Sequence, residues 1–165
     1  MFQVHDYVVL GATGVCQIVD ISREAFGDDE AREYYVLNPL GGNGLTINIP
    51  TDNQTVPLRA AMTRQEVIDL VATMSEGGEE WVEDDNTRRA IYNDALHDGD
   101  QRLLLQTVRS VAKQKTQLEQ EGKKLPSADL EALKAAEKML TQEICLVLDL
   151  DPDDVIPFIM RETNL

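Results

Sequence analysis

The sequence predicts an α+β protein of two domains, a small bent β-sheet or barrel followed by an all-α part. Three observations predict it. Apolar residues alternate with polar ones between turn signals through the first 60 residues, and from residue 63 they recur at helical spacing. The two patterns do not interleave, which excludes a chain of βαβ units. With 165 residues, 42% of them hydrophobic, the chain is long enough to bury two small cores. The expected division is residues 1–60 and 61–165, with the join near 55–62.

The strands come first. Tyr7-Val8-Val9-Leu10 is a β-branched run that Gly11-Ala12-Thr13-Gly14 closes as a turn. Val15 to Ile21 alternates as a half-buried strand does. An acidic loop around Gly27-Asp28-Asp29-Glu30 leads to Glu33-Tyr34-Tyr35-Val36-Leu37. After the turn residues Gly41-Gly42-Asn43-Gly44, Leu45 to Pro50 alternates again. Four or five short strands with tight turns make a strongly bent sheet.

The helices follow. Thr63-Arg64-Gln65-Glu66 is a capping box, and Val67, Leu70, Val71 and Met74 fall on one face behind it. Ser75 to Gly78 breaks that helix. A second helix is expected from about Asn86 to His97, ending at Asp98-Gly99, and Asp100 caps a third that runs to Glu121-Gly122. Pro126-Ser127 opens a fourth that carries Leu130, Leu133, Leu140, Ile144 and Leu148. Asp151-Pro152 places a cap and then proline at the first helical position, so a last short helix starts there, kinked or split by Pro157.

Composition narrows the function. The balance of 15 Lys+Arg against 30 Asp+Glu gives a net charge of −15, so bulk attraction cannot coat DNA with this protein. The charge is uneven, however. Residues 76–85 hold six acids and no base, whereas residues 86–138 hold ten bases and eight acids. No apolar run approaches the ~18 residues of a membrane span. The start, Met1-Phe2-Gln3-Val4-His5-Asp6, lacks the basic and apolar regions of a signal peptide. Cys16 and Cys145 form neither a CxxC pair nor a disulfide framework. The expectation is a cytoplasmic protein with two buried thiols.

Catalytic chemistry finds little material. His5 and His97 fall in different predicted domains, and neither cysteine stands in a nucleophile context. Asp149-Leu150-Asp151-Pro152-Asp153-Asp154 imitates the start of a calcium loop but has Asp154 and Met160 where that loop requires Gly and Glu. A helix cap with an acidic first turn accounts for the same residues. The expectation is a non-enzyme with no cofactor, no metal and no small-molecule substrate.

The third helix is more informative. Arg102, Arg109 and Lys113 stand at i, i+7 and i+11 and share one stripe, while Leu104, Val108, Val111 and Leu118 lie opposite. Such a stripe, unmixed with acid along its own helix, can meet a row of phosphates, and it can equally be a solvated outer face. Trp81, the one tryptophan, stands among acids in Glu79-Glu80-Trp81-Val82-Glu83. Its roles are a packing anchor or a wedge for a base step.

Taken together, Met1 to Val9, the Gly14-Val15 turn and the strand ending Ile49-Pro50 resemble the CarD family of bacterial transcription regulators. That family's N-terminal domain is shared with transcription-repair coupling factor. Arg88, Gly99-Asp100, Gly122-Lys123-Lys124-Leu125, Ala136-Glu137-Lys138-Met139-Leu140 and the tail from Glu143 to Pro157 resemble the same family. The resemblance implies a Tudor-like N-terminal domain that docks on the RNA polymerase β subunit, partly by sheet-edge pairing, through Arg23, Thr46, Ile47 and Asn48. It further implies a helical domain that touches promoter DNA just upstream of the melted region and modulates open-complex stability. The DNA-facing candidates are Trp81, Arg88, Arg89, Arg102, Arg109 and Lys113.

Tethering reconciles that reading with the negative charge. Docking raises the local concentration of the helical domain into the millimolar range, where an intrinsic dissociation constant of ~10⁻⁴ M suffices. The protein would thus be cytoplasmic and reach the nucleoid through polymerase. The competing reading is an acidic adaptor, on polymerase or another partner, that makes no DNA contact.

Overall fold

Among the described residues, five strands and then five α-helices follow one another. They are β1 (Tyr7–Leu10), β2 (Gly14–Glu24), β3 (Arg32–Pro39), β4 (Ile47–Pro50) and β5 (Leu58–Ala60), then α1 (Arg64–Ala72), α2 (Asp85–Asp98), α3 (Gln101–Gln120), α4 (Ser127–Leu148) and α5 (Pro152–Thr163). The computed structural model describes residues 1–53, 55–73 and 80–163. It divides into two units, Met1–Ala61 and Met62–Leu165. Met74 and the expected break at Ser75–Gly78 lie outside the described residues.

The first unit is one antiparallel sheet in the order β4-β3-β2-β1-β5. A single 3-10 turn at Gly11–Thr13 joins β1 to β2, and Gly14 closes it at φ 88°, a conformation that favours glycine. The register from Cys16↔Pro39 to Glu24↔Arg32 carries β2 three residues past the expected end at Ile21, because β3 supplies ladder partners that far. A bulge between Ile18 and Asp20 puts an extra residue, Val19, into β2 and bends the strand. One face of the sheet buries Val8, Leu10, Cys16, Ile18, Tyr35, Leu37 and Ile49. β5 occupies the stretch read as a linker. Three residues are too few to show alternation, and the strand exists through its pairing with β1, with Val8 opposite Ala60 and Leu10 opposite Leu58.

The second unit is the helical one. The capping box of α1 forms as the sequence requires: Glu66 N donates to Thr63 Oγ1 at 3.2 Å, and Thr63 N donates to Glu66 Oε2 at 2.7 Å. Gly99 ends α2 in the left-handed conformation at φ 66°, and Asp100 immediately caps α3 by accepting from Leu103 N. One core gathers Val67, Leu70 and Val71 of α1 with Ala95, Leu104 and Leu105, and with Ala136, Leu140, Ile144 and Leu148 of α4. Another gathers Tyr92, Val111, Ala132 and Leu133. α5 runs through Pro157 rather than splitting there. The proline withholds one backbone bond to the Asp153 carbonyl, and its ring lies exposed.

The acids that imitate a calcium loop are helix-terminal. Asp149 ends α4 in the left-handed conformation, and Asp153 and Asp154 fill the first turn of α5. Cys16 is buried, which pushes its thiol up to about 11, whereas Cys145 is only half-buried. No helix among the described residues is long and apolar enough to cross a membrane.

Candidate functional site

In the helical unit the candidate residues are organised around Arg88, one turn into α2. Asp84 starts that helix by accepting from Thr87 N at 2.8 Å and Thr87 Oγ1 at 2.6 Å, and these bonds hold its carboxyl below the usual range. Arg88 is 7% exposed. Its Nε donates to Asp129 Oδ1 at 3.0 Å, and Nη2 donates to Asp129 Oδ2 at 3.1 Å and Asp85 Oδ1 at 2.6 Å. Nη1 donates to the carbonyls of Val82 at 2.9 Å and Glu83 at 3.1 Å. All five N–H groups of the guanidinium therefore have acceptors inside the unit, and none is left for a phosphate. Arg88 was expected from sequence to face DNA, and the fold turns it inward.

Asp129, at the start of α4, also accepts from Tyr92 Oη at 2.7 Å. Burial pushes its carboxyl up, but the bonds from Arg88 and Tyr92 outweigh burial and hold it below the ordinary value. The Tyr92 hydroxyl is pushed up, first by burial and then by the Asp129 bond. The Asp129 bond likewise raises Arg88 against the opposing effect of burial.

Trp81 lies over this cluster. The Arg88 guanidinium carbon is 4.4 Å from the centre of its ring, a cation–π contact of about 0.5–2 kcal/mol. The ring is half-buried and also packs against the Tyr92–Val111–Ala132–Leu133 cluster. Of the two roles open to Trp81, the anchor's contacts are present. Beside the ring is a hollow of about 140 Å³ whose lining includes Glu80, Trp81, Ile91 and Tyr92 together with Gln106, Thr107 and Ser110 of α3.

The basic stripe on α3 is placed less simply than its spacing implies. Lys113 and Arg102 are exposed. Arg102, however, lines a groove with Glu66 and Asp69 of α1, so acid from a neighbouring helix stands beside it. Periodicity along one helix carries no information about the next. Arg109 is half-buried and donates from Nη1 to the Thr73 carbonyl at 3.5 Å, at the C-terminus of α1, where a cation is favoured. Arg89 is exposed on α2 and near enough to Asp129 to lower its pKa.

The first unit offers a different kind of site. β4 is an outer strand, paired with β3 on one side and, among the described residues, with nothing on the other. Thr51 N donates to the Glu33 carbonyl, and the register continues as Pro50↔Tyr34, Ile49↔Tyr35, Asn48↔Val36 and Ile47↔Leu37. Hydrogen-bonded and non-bonded pairs alternate in an antiparallel ladder. Ile49 and Ile47 therefore bond inward to β3, and the N–H and C=O of Asn48 point outward along the open edge. Pro50, which has no N–H, also falls at a non-bonded position. The Thr46 hydroxyl donates to Asn38 Oδ1 at 3.4 Å. Arg23 is exposed but not beside Asn48: it pairs with Glu33, three ladder rows away, on the opposite face of the sheet.

A family model described as the CarD-like/TRCF RID domain matches residues 2–62. Residues 2–62, a little over a third of the chain, are thus similar to that domain family. No curated protein matches the chain. The RID domain supports an RNA polymerase-interacting role in transcription. Its matched residues take in all five strands, the open β4 edge included.

Sequence reasoning missed two features of the RID domain and one of the helical unit. Phe26, 48% exposed, stacks edge-on against Tyr34 at 5.1 Å, and Tyr34 shares the Asn48 face of the sheet. On the other face of the sheet, the Tyr35 hydroxyl accepts from Phe2 N at 3.2 Å and ties the N-terminus to β3. In the helical unit, the sequence reading does not single out Asp129. Nothing in the local sequence signals that a residue 41 positions away turns toward it.

Proposed function

We propose that this protein is a CarD-type transcription regulator without catalytic activity. Its N-terminal domain, residues 1–60, Tudor-like in form, docks on the RNA polymerase β subunit. Its helical domain, residues 61–165, contacts promoter DNA upstream of the melted region and modulates open-complex stability. The observation that carries the docking step is the open β4 edge within a RID domain, where Asn48 turns an unpaired N–H and C=O outward beside Thr46 and Ile47. A strand of the partner can continue the ladder there. Phe26 and Tyr34 add apolar contact on the same face. Arg23 lies apart from the edge and would meet the partner on its other side.

DNA contact rests on the exposed Lys113, Arg102 and Arg89 and on the part of Trp81 that Arg88 leaves uncovered. The charge of −15 keeps such contact weak unless docking supplies the local concentration.

Asn48→Pro tests the docking step. The substitution removes only an outward N–H and leaves the β3–β4 bonds in place, as Pro50 already does. Affinity of the full chain for isolated β subunit, measured by interferometry, is expected to fall at least about tenfold with the circular dichroism unchanged, from loss of a hydrogen bond and steric opposition to an added strand. Unaltered affinity would refute edge pairing.

A further inference from the structure

The first unit holds a hollow of about 480 Å³ at the end of the open β4 edge. Phe2, Val56, Pro57 and Leu58 give it apolar walls, and Pro50 and Thr51 bring it to the end of β4. Val56 is 41% exposed yet held in place. Asn53 Nδ2 donates to the Val56 carbonyl at 2.8 Å, and Val56 N donates to Asn53 Oδ1 at 3.0 Å. The next carbonyl, that of Pro57, accepts from Gly11 N at 3.0 Å. This wall is therefore formed before anything binds, which keeps the cost of binding low. Tyr35 also lines the hollow and is 3% exposed. Its hydroxyl oxygen accepts from Phe2 N, but no described residue accepts its proton. A buried donor left open in this way calls for an acceptor from outside the chain.

From this arrangement we propose that the hollow is a specificity pocket for the polymerase β segment that pairs with β4. It takes one apolar side chain of that segment, and Tyr35 donates to one of the segment's carbonyl oxygens. The inference rests on the docking reading above and deepens it. Alternation determines which partner residue enters. Ile47, Ile49 and Thr51 share one face, with Tyr35 opposite Ile49, whereas Asn48 and Pro50 share the other. A strand bonded to the outward N–H and C=O of Asn48 puts the side chain opposite Asn48 on the Pro50 face. Both neighbours of that residue then fall on the Tyr35 face, and the one beside Ile49 stands at the hollow. Main-chain bonds along a strand of four residues carry little partner identity, and a pocket beside the ladder supplies it. Thr46 to Pro50 carry no charge, so an apolar side chain arriving there desolvates none along the edge.

The test uses the full chain in two measurements. In the first, Val56→p-benzoylphenylalanine is irradiated with purified bacterial RNA polymerase. The expected product joins the chain to the β subunit, and adding Asn48→Pro should abolish it. In the second, affinity for isolated β subunit is read by interferometry. Val56→Asp, on an exposed wall that tolerates the change, is expected to lower affinity at least about tenfold, because a carboxylate would be buried against an apolar side chain. Val56→Ile keeps the wall apolar and should bind as the wild type does. Tyr35→Phe should lower affinity about fivefold, the loss of one hydrogen bond. Undiminished affinity for Val56→Asp overturns the assignment, as does a crosslink confined to another subunit or to a second copy of this chain. Asn48→Pro separates the possible failures. If it weakens binding while Val56→Asp does not, only the pocket falls. If Val56→Asp weakens binding while Asn48→Pro does not, the ladder register falls and with it the predicted occupant. If the wild-type chain does not bind β at all, the docking reading falls and takes this inference with it.

Discussion

Replacing Asp129 with asparagine probes the polar cluster of the helical unit at its centre. The carboxylate accepts three hydrogen bonds, from Arg88 Nε at 3.0 Å, Arg88 Nη2 at 3.1 Å and Tyr92 Oη at 2.7 Å, and its side chain is 4% exposed. Asparagine keeps the shape and removes the charge. The buried guanidinium then has one carboxylate left, that of Asp85, which is 71% exposed and so well screened. Breaking a buried ion pair from one side costs about 3–5 kcal/mol. With a urea dependence of about 1.5 kcal/mol per molar, the unfolding midpoint should fall by about 2–3 M. Trp81, the sole tryptophan, sits on the cluster and reports the transition by its emission. The native-state emission should also shift to longer wavelength as the Arg88 platform loosens. Exchanging both partners at once, Arg88→Met with Asp129→Leu, should recover much of the loss, because no unpaired charge remains. A midpoint shift below about 0.5 M for Asp129→Asn would refute the claim that this carboxylate neutralises Arg88.

The same cluster sets a pH dependence and the charge pattern sets a salt dependence. Asp129 titrates below its ordinary value in the folded chain, so its contribution is fully present above about pH 4 and is lost as pH falls through the folded-state value. Tyr92 titrates above its ordinary value, so stability is also expected to decline as pH rises past about 10. Urea midpoints across pH should show the wild-type and Asp129→Asn curves converging at the acid end; a constant gap between them would refute the linkage. The isolated protein should give no detectable shift of free promoter duplex at physiological salt, since any contact its net charge of −15 allows is weak without docking. Tight, sequence-specific binding of free duplex would sink the tethering argument.

Local chemistry made much of this fold legible. The Thr63–Glu66 box, the Gly99-Asp100 boundary and the Pro126-Ser127 start each determine their helix ends within a few residues, so the helices fall where the sequence places them. β2, β3 and β4 follow from alternation. What stayed hidden depends on distant partners. β5 exists through β1, and the bulge at Val19 depends on how β3 registers against β2. Arg88 reads as a surface base because Asp129 is 41 residues away, and a helix shows in its own sequence only its own faces. Arg102 looks unmixed with acid for the same reason, since Glu66 and Asp69 belong to another helix. Thr46 to Asn48 could be named from resemblance, but that Asn48 aims its backbone outward follows only from the ladder.

The most direct test of the account is co-elution of the full chain with purified bacterial RNA polymerase on a sizing column, run at a few micromolar of each. The account predicts a stoichiometric complex that Asn48→Pro weakens and that forms without DNA. Elution of the two components apart, with the chain folded by circular dichroism, would contradict it.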